Sequence, residues 1–514
     1  MTRLRPSEGT RKSCRSKPQR LLIANGLVYD GTGAPGRQVD LLIEGDRIAD
    51  IGRLGPLGDV ATLNAMGLCI TPGFIDPHNH ADSEIKGGIV AHPRAENLIR
   101  QGITTLVCNQ CGGSIEDVGA FFDRLSTVSP VTNVAMLASH GHARRKALKQ
   151  TGANASTPAM WACMRDLLRA QMEAGALGVT TGIIGVPKER IPTEELIEAG
   201  RAVAPFEGVY ASHIRDEGEY NCHLDAINEV AAVARETGAR GHVSHLKLWG
   251  HPNWGKTEDV LAIFDQAKAD GIPLAADQYP YIGGYRGFYS LLWDKQRSGP
   301  YDAAWRRDAE DEVTRQLDVL GGAHRLYISS HEPNDPLDGL TIGEAAEKLS
   351  ISPPQVVTEL YLRTPRPRLS AFFLAMCEED VRVFMASEHT MAGTDSHLRI
   401  PGSGASHPRN FGVYPRLLGK YVREETIMPM ETMVRRMTSR VAEQFGIRER
   451  GVLRSGAFAD IVIFNPDTVR DRGTWRNGYL APVGIEHVFV NGGHTVVDGE
   501  LVGEGNGRGL PRRP

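Results

Sequence analysis

No apolar run in these 514 residues approaches the roughly 20 that a helix needs to cross a bilayer, and the N-terminal stretch lacks the apolar core of a secretory signal. Both absences argue against a membrane partner. A disulfide framework is missing too. The seven cysteines, Cys14, Cys69, Cys108, Cys111, Cys163, Cys222 and Cys377, are odd in number and scattered, so a reducing, cytoplasmic setting is expected. Charge of either sign is scarce in excess: a net charge of -4 over such a length, with no arginine-rich helix or aromatic-basic interleave, gives no footing for a nucleic-acid partner. What remains is a globular composition, long enough for one large α/β barrel with an accessory domain and compatible with a homo-oligomer.

The most informative stretch is TPGFIDPHNHAD, from Thr71 to Asp82. Pro72 and Gly73 mark the start of a short apolar strand, Phe74-Ile75, that leads to Asp76 and then to His78 and His80. In extended chain the period of two puts both imidazoles on one side, where two neutral nitrogens converge as zinc binding asks. Taken alone, a His-x-His pair reads equally well as two solvated loop histidines.

Organisation follows from the change of pattern along the chain. Residues 1–20 are basic and without apolar periodicity, which reads as a disordered leader or a cloning or mis-start extension. From Leu21 short alternating strands are broken by turn pairs, Asn25-Gly26 and Glu44-Gly45-Asp46, in the style of hairpins. The same style returns in GAFADIVIFNP and EHVFVNGGHTVVDGE, so residues 21–72 and 446–505 are expected to form one composite β-sandwich, with a flexible tail over 506–514. Between them, over 73–445, strands such as ITTLVCN, GALGVTTG, GVYASH, GHVSHLK, PLAADQYP, RLYISSH and MAGTDS alternate with helix-period stretches. Repeated βα units of this kind predict a (β/α)8 TIM-type barrel, whose site gathers at the C-terminal ends of its strands.

That is where the candidate ligands fall: His78 and His80, Cys111, His213, His245 and Asp395. Singly, each histidine reads as a satisfied core or loop residue, Cys111 as an inert buried thiol and Asp395 as a turn residue or N-cap. Independent accidents would not put all of them at the same end of successive strands. A thiolate and two imidazoles suit one tight Zn2+, held by Cys111, His213 and His245 with a fourth position for water. Asp395 is then the group that moves the proton, and Tyr279, in AADQYPYIGG, is either an oxyanion donor or a core aromatic. His78 and His80, with Cys111 bridging and Asp395 near, suit a second, weaker metal. The C-x-x-C of Cys108 and Cys111 has no second pair to complete a zinc knuckle and opens no thioredoxin-like helix.

These residues resemble the amidohydrolase superfamily, and within it the N-acyl-D-amino-acid deacylases, or D-aminoacylases. The similarity spans nearly the whole chain from Leu21 and rests on HPRAENLIRQGITTLVCNQCGGS, SHIRDEG, GHVSHLK, DQYPY, CEEDVRVFM, GTDSH, HPRNFGVYPRLLGKYVREE and RERGVLRSGAFADIVIFNPDTVRDR. The resemblance implies that Cys111 takes the bridging place that a carboxylated lysine fills elsewhere in the superfamily. It further implies that His213 and His245 complete the tight site, His78 and His80 the weak one, and that Asp395 is the catalytic carboxylate. Tyr279 matches a tyrosine set against the scissile carbonyl, and Lys247 a lysine of the substrate pocket.

The departures surround the mouth of the site. Gln110 precedes Cys111 and Gly112-Gly113 follow it, Tyr285 stands where a serine is common, and Ser396-His397 follow Asp395. All three bear on acyl-group and side-chain preference. For the substrate's carboxylate, Arg215 and Arg286 are candidates, with Arg215 equally able to pair with Asp216 or Glu217. Arg286 lies in an aromatic, glycine-rich segment of about 283–310 that is expected to act as a lid over the acyl chain. The leading expectation is hydrolysis of a linear amide of a small-molecule acylated amino acid. Alternatives are a cyclic amidase, a deaminase and a non-catalytic assembly protein. Deamination is disfavoured because His213 is followed by Ile214-Arg215-Asp216-Glu217, without an H-x-x-E, and loss of catalysis would predict missing ligands.

Overall fold

Strands covered on both faces need no polar side, and the strand Ile103–Cys108 is buried at every position. The computed structural model describes residues 20–83, 87–295, 301–330, 335–363, 369–400 and 406–513. The fold is mixed α/β. Phe74–Asp76, Ile103–Cys108 and Asn133–Met136 form one parallel ladder. Ala138–Ser139, Gly178–Gly182, Val209–His213, Arg240–Val243, Leu274–Gln278 and Thr390–Ala392 pair in that order, also parallel. The last strand returns beside the first. Asn79–His80 pairs in parallel with Ser396–His397, and the hydroxyl of Tyr414 donates to the carbonyl of Ile75 at 2.9 Å and lies 3.4 Å from that of Ala392. Ile75, Val107, Ala135, Val209, Ala211, Ala275 and Met391, drawn from these strands, meet in a single buried cluster.

The connecting helices start where the sequence supplies caps. Thr157 accepts from the backbone of Met160 with Pro158 at the first helical position, and Asp302 does the same for Trp305 at the head of Ala303–Leu320. Outside the parallel ladders lie two sheets, one built from the N-terminal end alone and one shared by the two ends of the chain. Arg20–Ala24 lies between Asp40–Glu44 and Ala61–Asn64, while Ile461–Phe464 lies between Cys69–Pro72 and Ile485–Val490. Ile23, Leu41, Ile43, Ile48 and Ile70 from one end pack with Ile461, Ile463 and Phe489 from the other. Among the described residues no helix is long and apolar enough to cross a membrane.

Three expectations are corrected. Glu44-Gly45-Asp46 does turn a hairpin, but at Asn25-Gly26 the chain crosses from one sheet to the other, because Arg20–Ala24 pairs with Asp40–Glu44 and Leu27–Val28 with Cys69–Pro72. RLYISSH is not a unit of the parallel run: Leu326–Ser330 pairs antiparallel with Leu369–Phe373, which also pairs with Gly284–Gly287. The lid segment therefore begins as part of that inserted sheet and continues into a helix over Ala303–Leu320, with residues 296–300 outside the described residues. The tail expected to be flexible is pinned: Leu510 donates to the carbonyl of Val134 at 2.7 Å and Arg512 to that of Gly175 at 2.8 Å. Of the expected leader, residues 1–19 lie outside the described residues.

Candidate metal centre

Extended backbone delivers His78 and His80 where the first strand ends, and the turn that follows Ile103–Cys108 brings Cys111 beneath them. The sulfur of Cys111 lies 3.2 Å from Nε2 of His78, 3.3 Å from Nε2 of His245 and 3.3 Å from Nδ1 of His213. Donors bound tetrahedrally to one zinc at about 2.0–2.3 Å stand roughly 3.5 Å apart. The donor set and spacing therefore fit zinc. Two three-ligand groups share Cys111, namely Cys111 with His213 and His245, and Cys111 with His78 and His80. Asp395 sits at their edge, its Oδ1 3.3 Å from Nε2 of His80 and 3.8 Å from Nε2 of His78.

The turn at the thiol is built for close approach. Cys111, His245 and Asp395 all hold positive φ, at 53°, 38° and 49°, a left-handed conformation that costs a non-glycine residue of order 1–3 kcal/mol. Gly112 and Gly113 follow at φ 89° and 70°, and a Cβ on Gly182 would come within 2.3 Å of the Cys111 carbonyl. The two glycines that set this turn apart are thus required by its path.

Charge in the site is tightly matched. Burial would raise the Cys111 thiol, yet the imidazoles of His78, His245 and His213 outweigh it and hold the sulfur as a thiolate, well below its ordinary range. Burial likewise opposes ionisation of Asp395, but the Arg409 guanidinium, 2.7 Å from Oδ2, and the His80 hydrogen bond hold it well below the usual carboxylate range. Tyr279 is pushed up by burial and stays a phenol able to donate. His397, stacked on His80 with ring centroids 4.8 Å apart, is held well below its ordinary value by burial and by the charges of His80 and Arg399, so it is neutral.

A cavity of about 270 Å3 joins these groups, lined by His80, Cys111, His213 and His245, with Asp395, Tyr279, Lys247, Tyr285 and Arg286 around them. All the expected site residues but His78 and Arg215 line it. His78 is fully buried beneath and reaches the centre through its Nε2. Arg215 points elsewhere: it binds both oxygens of Glu229, at 2.8 and 3.1 Å, and the carbonyls of Val186 and Ile191. A guanidinium so fully engaged does not serve a substrate carboxylate. Arg286 is in the cavity but already paired with Glu217, at 2.8 Å, and with Glu219. Tyr285 donates to Ser370 at 3.0 Å. His140 belongs to a separate buried network around Glu195.

Three carboxylates that sequence reasoning did not assign hold the centre in place. Asp277 lies 3.2 Å from Nδ1 of His78 and 2.7 Å from Nε2 of His242, and accepts from the backbone of His245 at 3.0 Å. Asp76 accepts from the backbone of His78 and from Thr394. Glu217 lies 2.8 Å from Nδ1 of His245 and takes the ammonium of Lys247 at 2.5 Å. Such partners fix the ring orientation of metal-binding histidines. The clue available in sequence was position alone: Asp76 lies two residues before His78, Asp277 two before Tyr279 and Glu217 four after His213.

Residues 61–502 match a model described as the amidohydrolase family. A D-aminoacylase of Alcaligenes xylosoxydans xylosoxydans is 33% identical over 97% of this chain and 98% of its own. An N-acyl-D-glutamate deacylase of the same organism is 34% identical over 92% of each. Among solved structures, N-acyl-D-glutamate deacylase from Bordetella bronchiseptica, complexed with zinc and a phosphonate inhibitor that mimics the tetrahedral intermediate, superposes with a TM-score of 0.81 at 32% identity, covering 97% of this chain and 100% of the other.

Proposed function

The chain belongs to the amidohydrolase family, and we propose that it is a zinc-dependent deacylase that hydrolyses N-acyl-D-amino acids to a carboxylate and a free D-amino acid. The observation that carries this reading is the meeting of one thiolate with His78, His213 and His245 at 3.2–3.3 Å, with Asp395 beside them. Its supports are relatives whose names specify D-aminoacylase and N-acyl-D-glutamate deacylase.

We assign the tight zinc to Cys111, His213 and His245, and a weaker second ion to His78, His80 and Cys111 with Asp395 adjoining. A zinc ion so held brings the pKa of water to about 7 and polarises an acyl carbonyl. Asp395, kept ionised by Arg409, accepts the proton of the attacking water and passes it to the leaving amine. Tyr279 donates a hydrogen bond to the oxyanion of the tetrahedral species. Lys247 meets the substrate carboxylate.

We also infer that the parallel ladders close as one (β/α)8 barrel over 73–445, on the strength of the Asn79–His80 pairing with Ser396–His397 and the shared inner cluster. Residues 21–72 and 446–505 then make a composite β-sandwich. The free thiols of the described cysteines support a reducing, cytoplasmic setting. The test is a panel of N-acyl-D-amino acids, N-acyl-L-amino acids and cyclic amides with the zinc-loaded protein. Release of amine from the D-series is expected, and turnover of cyclic amides alone would overturn the assignment.

A further inference from the structure

Beside the metal cavity lies a second one of about 410 Å3, and His213, Trp249 and Arg286 line both. Arg286 spreads over the Trp249 ring, 3.8 Å from its centroid, and its pairing with Glu217 and Glu219 fixes it at the junction. The inner walls come from the inserted segment and the barrel loops: Ile184, Leu291, Val319, Leu320 and Phe373. The acids there are already engaged. Glu219 pairs with Arg286, and Glu312 accepts from Gln316 at 2.9 Å and pairs with Arg315. Tyr220, Tyr289, Ser290 and Gln316 add polar groups to the lining, but its larger share is apolar and lies next to His213.

The direction of the substrate follows from the proton. Asp395 must reach the leaving nitrogen, and Asp395, Arg409, His397 and Tyr285 line the metal cavity and not the second one. The amine half with its carboxylate therefore occupies the metal cavity. With the scissile carbon at the thiolate and imidazoles, the half of the substrate that extends past His213 is the acyl chain. Resting on the deacylase reading above, we propose that the second cavity is an acyl-chain pocket and that the preferred substrates carry medium-length or aromatic acyl groups rather than acetyl. The 270 Å3 of the metal cavity is shared with the reacting groups, whereas 410 Å3 is within the range of small-molecule pockets.

Two substrate series test this with the zinc-loaded full chain. In one, the acyl group of N-acyl-D-leucine grows from acetyl through butanoyl and hexanoyl to octanoyl. In the other, the acyl group stays acetyl while the side chain grows from D-alanine to D-norleucine and D-phenylalanine. In the first, kcat/KM is expected to rise about fourfold per methylene until the pocket fills, the equivalent of ~0.8 kcal/mol for each CH2 buried. The second series should show no comparable rise. Leu291→Trp and Val319→Trp, which fill the cavity from different elements, should each lower the hexanoyl-to-acetyl ratio. Acetyl as the best acyl group, or a steep rise confined to the side-chain series, would overturn the proposal and leave the deacylase reading standing. Turnover of neither series would bring down that reading and this one with it.

Discussion

Glu217 stands directly behind His245, its Oε1 2.8 Å from the ring's Nδ1. The same oxygen holds the ammonium of Lys247 at 2.5 Å, and Oε2 holds Arg286 at 2.8 Å. One carboxylate thus orients an imidazole of the candidate metal centre and restrains two cations of the cavity beside it.

Glu217→Gln keeps the size and removes the charge. We expect kcat to fall about 10- to 100-fold, as for other lost partners of metal-binding histidines, while KM for an N-acyl-D-amino acid falls or holds because Lys247 and Arg286 are released. The corresponding substrate amide, which has no carboxylate, should show the kcat loss without the KM gain. Equal rises of KM for both compounds would reduce Glu217 to a folding role.

Cys111→Ala removes the one ligand common to both clusters. Elemental analysis is expected to find at least one tightly bound zinc in the wild type and none in the variant, with activity lost in parallel. Zinc retained at wild-type stoichiometry would take Cys111 out of the site.

Asp395→Asn leaves the three tight-site donors intact. The variant should keep its tight zinc and lose about 10²- to 10⁴-fold in kcat, the usual worth of a positioned proton carrier. Near-normal turnover would move that role to another group.

Arg450 and Asp460 form an ion pair with side chains 2% and 3% exposed, and Asp460 also accepts from Asn133 at 3.2 Å and from the backbone of Asn491 at 2.8 Å. Arg450→Met leaves a buried charge uncompensated and should cost about 3–5 kcal/mol in denaturation, whereas adding Asp460→Asn should restore much of it. A double variant as unstable as the single one would contradict this pairing.

Burial alone would raise Glu195, but the hydrogen bond and charge of His140, the Ser156 hydroxyl and Arg144 together hold its carboxyl below the ordinary value. A depressed carboxyl contributes stability that is full above the unfolded pKa, about 4.3 for glutamate, and is lost as pH falls through the folded one. The stability gap between wild type and Glu195→Gln should therefore shrink as pH falls below about 4. A gap independent of pH would mean that Glu195 acts by shape alone.

The grouping of the candidate ligands was legible because metal chemistry restricts residue type, and strand ends are marked by the change from apolar run to polar corner. His78, His80, Cys111, His213, His245 and Asp395 all meet as their types suggested. Arg215 was misjudged for a reason local sequence does not hold: its partner Glu229 lies one helical segment further on, in His223–Thr237. Asp277 and Glu217 went unassigned because acids at strand ends are common, and only the fold shows which imidazole each one faces. RLYISSH was taken for a member of the parallel run since its alternation is the same in either kind of sheet. Arg409 drew no role from the block HPRNFG, yet its guanidinium lies on Asp395.

The sheet that unites the chain's two ends has a consequence for how the molecule can be assembled and taken apart. Ile461–Phe464 is flanked on one side by Cys69–Pro72, partners nearly four hundred positions apart. No single proteolytic nick can release that sheet intact, since its halves leave on different fragments. Nor can it mature early: contacts of such long range close slowly, so the last sheet to become whole is one whose earliest strands have waited through the folding of everything between.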